Sequence, residues 1–170
     1  SQLTAILYLE NSHSTNAFNK NRVALLKLLA SQSGIAIENS KLYQQLNDSK
    51  NKYLSLYQNA VEGIFEVNGA GNLTNLNLAA AALLGYDLAI VNQSNIGPDI
   101  SSAFVNPEDF KALQKKLTKQ DRVSHYETQI VTREGLKIWV ELSGKIVVDK
   151  ASDEYKIEGA IVDISERKLR

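Results

Sequence analysis

Gly63-Ile64-Phe65-Glu66-Val67-Asn68-Gly69-Ala70-Gly71-Asn72-Leu73-Thr74-Asn75-Leu76-Asn77 is the stretch on which the fold turns. Two β-prone runs flank Gly69-Ala70-Gly71-Asn72, whose glycines can take the positive φ of a tight hairpin turn, so residues 63–68 and 73–77 are expected to form an antiparallel pair. Asn77 then meets an Ala-rich run, residues 79–84, closed by Gly85. An Asn at that position can cap the free amides of a short helix, and a Gly after it can take the left-handed C′ conformation.

Downstream, Asn106-Pro107-Glu108-Asp109 announces a second helix, with a capping Asn, Pro at the first helical position and acids at the positive end of the dipole. Its expected buried stripe is Phe110, Leu113 and Leu117. Strands follow at residues 123–132 and 136–148, joined by Arg133-Glu134-Gly135. In the second of them Leu136, Ile138, Val140, Leu142, Ile146 and Val148 alternate with polar residues. A polar turn at 150–154 leads to a last strand at 155–164. Two strands, short helices and three more strands make an α+β domain, a five-stranded antiparallel sheet with short helices on one face.

Upstream, residues 21–57 hold no Pro and one Gly, Gly34. Leu25, Leu28, Gln32, Ile35, Asn39, Leu42, Leu46, Ser49, Tyr53 and Leu56 recur at alternating steps of three and four, the spacing of a heptad seam. A continuous helix of roughly 55 Å is expected. Val23, Leu26, Leu29, Ala30 and Ile37 add a second stripe to its first half, as in the last helix of a domain. Beyond Glu38 one narrow stripe remains, which suits a parallel partner helix, so a homodimer through the N-terminal helix is expected. Residues 3–9 (Leu-Thr-Ala-Ile-Leu-Tyr-Leu) read as a strand before a polar loop.

Composition narrows the function. The 170 residues carry 19 Lys and Arg against 19 Asp and Glu, so nothing favours electrostatic capture of nucleic acid or of an anionic membrane. Cysteine is absent, which removes disulfides, thiolate nucleophiles and cofactor links through sulfur, and a reducing cytoplasm is the expected location. The apolar runs are far shorter than the roughly 20 residues of a membrane span, so no direct membrane insertion is expected. The abrupt start and the charged end at 165–170 read as those of an excised fragment.

The order of these elements resembles the PAS family over about residues 53–168. The resemblance rests on Leu56-Tyr57-Gln58-Asn59-Ala60-Val61-Glu62-Gly63-Ile64-Phe65, on Asn77 with Leu83-Leu84-Gly85-Tyr86, on Asn106-Pro107-Glu108-Asp109, on Glu127 with Arg133-Glu134-Gly135 and Trp139, and on Glu158-Gly159 running into Asp163-Ile164-Ser165-Glu166-Arg167-Lys168. Leu78 stands where many relatives carry Pro, and Glu134 where Asp is commoner. Residues 1–38 resemble the C-terminal end of a GAF domain, through Ile6-Leu7-Tyr8-Leu9-Glu10-Asn11, Phe18 and the run from Leu28 to Tyr43. The expected organisation is therefore a GAF remnant at 1–38, a connecting signalling helix at 39–56, a PAS domain at 57–164 and the start of an outgoing helix at 165–170.

The resemblance implies a regulatory sensor module without catalytic residues, in a parent expected to be a histidine kinase. The alternatives are a diguanylate cyclase parent or a ligand-free PAS dimerisation module. No phosphate-cradling Gly-rich loop is present, and neither His13 nor His125 has the His-Glu-Leu-Arg-Thr-Pro context of a kinase phosphoacceptor. No cofactor or metal is expected. Haem sites of the family place their His on the long helix, where residues 110–117 have none, and covalent flavin attachment needs a Cys. The family's pocket implies Phe65, Leu76, Leu83, Tyr86, Phe104, Phe110, Leu113, Tyr126, Thr128, Val140 and Ile146 as its lining. Side chains this large are expected to fill the core themselves. Any ligand would be small and mainly apolar, with Tyr126 or Thr128 as its polar handle. Asp163, Ser165 and Arg167 are the expected signal-coupling residues, Asp163 bonding near Ser165 and pairing with Arg167.

Overall fold

A computed structural model describes residues 5–89, 91, 97–148 and 154–169. The chain divides into two compact units, residues 1–54 and 55–170. The expected turn at 150–154 and the first residues of the expected strand at 3–9 lie largely outside the described residues. Residues 5–9 form no strand, and Ile6, Leu7, Tyr8 and Leu9 are exposed. A lone apolar segment lacks the neighbouring strand that would satisfy its amides, and this corrects the strand expected there.

Helix α1 runs Lys20–Gln58. Asn19 starts it, its Oδ1 accepting from the Arg22 amide at 2.9 Å. In the first unit Val23, Leu26 and Ala30 are half-buried, while Leu25, Leu28, Ile35, Leu42 and Leu46 are exposed along the heptad seam.

The second unit is built on one antiparallel sheet. Strands β1 (Gly63–Asn68), β2 (Leu73–Leu76), β3 (Arg122–Val131), β4 (Lys137–Val148) and β5 (Tyr155–Asp163) lie in the order β2-β1-β5-β4-β3. In the first hairpin the Asn68 Oδ1 accepts from the Ala70 and Asn72 amides, both at 3.0 Å, and Gly71 sits at φ 88°. Helix α2 (Leu78–Leu84) is capped by Asn77 and closed by Gly85 at φ 75°. A 3₁₀ turn spans Ile100–Ala103, and α3 (Pro107–Gln120) begins at Asn106, whose side chain accepts from the Glu108 amide. A four-residue helix, α4 (Ser165–Lys168), leaves the last strand.

Helix α2 packs on β1 and β2, and α3 on β3 and β4. The core between them includes Val67, Leu76, Ala80, Leu84, Phe104, Ile130, Val140, Leu142 and Ile161. Alternation along β4 holds in its middle, where Val140 and Leu142 are buried. Leu136, just before β4, and Val148, at its end, are exposed rather than inward-facing.

Candidate functional site

A cavity of about 700 Å³ lies between the sheet and α3. Phe65, Tyr86, Phe104, Phe110, Leu113 and Ile146 are on its wall, with Ile157 and Ile161 of β5 and Leu142 of β4. The Phe104 and Phe110 rings stand 5.2 Å apart in a tilted pair, an arrangement aromatic rings favour. Polar groups at the cavity include Gln114, Thr118, Asp121 and Ser143, together with the Asn68–Gly71 turn and Asp99. Its size falls within the roughly 300–1,000 Å³ of small-molecule sites. The sheet and its helices therefore leave space that the expected filled core would not.

The second region is the joint between β5 and α4. Asp163 Oδ1 accepts from the Ser165 amide at 2.8 Å, and Ser165 Oγ accepts from the Trp139 amide at 3.1 Å. The Ile164 amide donates to the Trp139 carbonyl at 2.9 Å. The outgoing helix is thus sewn to β4 through its backbone. Its side chains add a charged clamp. Glu127 of β3 and Glu141 of β4 are directly opposite in register, a like-charge placement that would repel on its own. Arg167 bridges both, contacting Glu127 and, at 3.1 Å, Glu141, while Lys168 pairs with Glu127 and lies 5.0 Å from the centre of the Trp139 ring. His125 Nδ1 lies 2.8 Å from Glu141. The Lys168 bond to Glu127, with the nearby charges of Lys168 and Arg167, holds that carboxyl below its usual range. At Glu141 the His125 bond acts first and the Arg167 bond second, in the same direction.

Residues 61–166 match the sequence profile described as PAS domain. The chain belongs to the PAS family. The PAS domain of an HTR-like protein from Haloarcula marismortui superposes with a TM-score of 0.60 at 20% identity, over 74% of this chain and 99% of that one. A domain of the sensory box sensor histidine kinase/response regulator from Geobacter sulfurreducens gives 0.53 at 23% identity, over 69% and 96%. At such identities the likeness establishes the PAS fold. Among curated proteins, Sporulation kinase C of Bacillus subtilis (strain 168) is 24% identical over 132 residues, 77% of this chain. The chain spans 29% of that kinase's length.

Within the PAS domain, Phe65, Tyr86, Phe110 and Leu113 line the cavity, and Tyr126, Thr128 and Val140 do not. Tyr126 donates its hydroxyl to the Asp109 carbonyl at 3.0 Å, and Thr128 Oγ1 donates to Asp109 Oδ2 at 2.9 Å. Both fasten β3 to the first turn of α3, and burial and the Asp109 charge push the Tyr126 phenol up. Val140, opposite Thr128 in register, is wholly buried in the filled part of the core. The polar handle expected from Tyr126 or Thr128 is therefore corrected: those hydroxyls serve a helix terminus. The expected Asp163–Arg167 pair is corrected as well. The guanidinium goes to two carboxylates, Glu127 and Glu141, whereas the Asp163 oxygen serves the Ser165 amide. His125, exposed at φ 53°, belongs to this outer clamp. Among the described residues no group of three or more His, Cys, Asp or Glu could hold a metal ion, and no helix is long and apolar enough to cross a membrane.

Proposed function

We propose that this PAS domain is the relay of a bacterial sensor histidine kinase, passing a conformational bias from the helix that enters it to the helix that leaves it. One observation carries the reading: a single strand, β4, both walls the cavity and holds the outgoing helix. Leu142, Ser143, Gly144 and Ile146 line the cavity, and Trp139 and Glu141, a few residues earlier, bind Ser165 and Arg167. A shift of β4 that follows a change in the cavity's contents would reach α4 directly. The cavity supports this reading over a ligand-free dimerisation module, and the likeness to sensor kinases supports a kinase parent. Residues 1–38 fit the close of a preceding GAF domain, since Val23, Leu26 and Ala30 of the second stripe in the first half of α1 are half-buried, while Leu29 and Ile37 are exposed.

The test is made in the full-length parent. Asp163→Ala and Arg167→Ala are expected to fold and to change basal autophosphorylation, or its response to signal, by at least about fivefold, the low end of common coupling energies. Both variants folding and signalling like the unmodified protein would overturn the relay.

The dimer belongs to the same proposal. Leu28, Ile35, Leu42, Leu46, Tyr53 and Leu56 are exposed along one heptad seam, and a second copy of α1 in parallel would cover them. Light scattering should give twice the monomer mass, and a monomer at high concentration would count against the pairing.

A further inference from the structure

Among the described residues, the charged groups at the cavity are all of one sign. Among the described residues on its wall, Asp99 and Asp121 are the charged ones, and no Lys, Arg or His joins them. The Asp99 carboxylate is engaged, its Oδ1 accepting from the Ser101 amide at 2.9 Å. Asp121 differs. Its backbone is fixed at both ends, the amide donating to the Leu117 carbonyl at 2.8 Å and the carbonyl accepting from the Ile146 amide at 2.9 Å. Its side chain makes no hydrogen bond or ion pair among the described residues.

Asp121 is also poorly placed for its own helix. It closes α3 in the left-handed conformation, φ 56°, where Gly or Asn is usual. It sets a negative charge beside the free carbonyls of a helix C-terminus, where a cation is favoured. Asp121 is exposed at the mouth of the cavity, where water can solvate it; its helix favours no carboxylate at this point, whereas a positive group in the cavity would.

We propose that the cavity binds a cationic amphiphile: an aliphatic or aromatic body in the apolar interior, with a protonated amine at Asp121. The Thr118 hydroxyl, which donates its own proton to the Gln114 carbonyl at 2.9 Å, keeps lone pairs able to accept from the ammonium. A ligand with a carboxylate or phosphate head would meet Asp121, Asp99 and the helix terminus with no compensating cation among the described residues of the wall. The site bears on signalling because Asp121 is bonded to Ile146 of β4. That consequence rests on the relay reading, and the binding itself does not.

Decylamine, decanol and decanoate share one body and differ in head charge. Calorimetric titration of the chain with each at neutral pH, below aggregation, should rank the amine tightest and the carboxylate weakest, with steps of about threefold, the scale of a partly exposed charge pair. Asp121→Asn removes the charge while keeping a residue that tolerates the left-handed conformation. In that variant the amine's advantage over decanol should fall to within about twofold, with decanol unchanged. Leu113→Trp, which narrows the cavity, should weaken all three.

Decanoate binding as tightly as decylamine, no binding of the amine, or an advantage that survives Asp121→Asn would each overturn the assignment. So would amine binding untouched in a folded Leu113→Trp protein. Should the amine bind in this order while the parent's output ignores it, the ligand class stands and the relay reading fails.

Discussion

Asn77→Ala is expected to cost the PAS domain about 3–5 kcal/mol, the upper range for a single substitution. The side chain is wholly buried and makes four bonds. Its Oδ1 accepts from the Ile64 amide at 2.8 Å and the Ala80 amide at 2.9 Å, and its Nδ2 donates to the Tyr57 carbonyl at 3.0 Å and the Glu62 carbonyl at 2.9 Å. The first pair fixes the start of β1 and caps α2. The second holds the last turn of α1 and the segment before β1. Alanine would leave all four backbone groups without this partner, and each buried orphan costs about 1–3 kcal/mol unless water reaches it. The sum is limited because the end of α1 and Glu62 lie near the surface, where water can serve.

Against a total stability of about 5–15 kcal/mol, the loss would leave a marginal domain. Denaturant unfolding at constant slope should show it as a large fall in midpoint. Asn77→Asp would keep the oxygen that accepts both amides but replace the Nδ2 donor with a carboxylate oxygen facing two carbonyls, so it too should destabilise. A loss below about 1 kcal/mol for Asn77→Ala would mean that these bonds are replaced by water at little cost.

Asn77 is legible in the sequence as a helix cap, because cap, Ala-rich run and Gly stand in fixed order. Its other three bonds are not, because Tyr57, Glu62 and Ile64 come near only when the chain doubles back. The same distinction runs through the domain. Local signals place the hairpin at the Gly69–Gly71 turn, the start of α3 at Asn106-Pro107, and each strand to within a residue or two. Alternation tells which face Tyr126 and Thr128 occupy, but not which part of that face is filled. The hydroxyls find Asp109 because α3 crosses β3 there, a tertiary fact. Arg167 shows the opposite case. Proximity in sequence suggests Asp163, yet a hairpin centred on Glu134 sets Glu127 opposite Glu141, and two facing carboxylates call for a cation. That register is available from the turn residues. Asp121 is silent in the sequence, because a charged residue between a helix and a strand reads as a solvated turn, and the cavity beside it has no sequence signature.

Gly159→Ala is expected to cost about 1–3 kcal/mol, while Gly144→Ala, at its register partner on β4, should be close to neutral. The two glycines face each other across β4 and β5, and composition alone treats them alike. Their surroundings differ. Phe65 is opposite Gly159 on β1, and a Cβ built on Gly159 would fall 2.4 Å from the Phe65 Cζ, with two more ring atoms within 2.9 Å. Carbon atoms do not approach so closely, so the ring must leave its place. Neither glycine has a positive φ among the described residues, so the cost is one of packing rather than of backbone strain. At Gly144 the nearest atom to such a Cβ is the Glu158 carbonyl oxygen at 3.4 Å, an ordinary contact, and a strand gains slightly from losing a glycine. Because the Phe65 ring forms part of the cavity wall, its displacement by the added methyl group should do two things at once: lower the unfolding midpoint and weaken decylamine binding. Gly144→Ala should leave the midpoint nearly unchanged. Equal stability losses for the two variants would show that the sheet adjusts as a whole, and that Phe65 is not held in place by the absence of a side chain at Gly159.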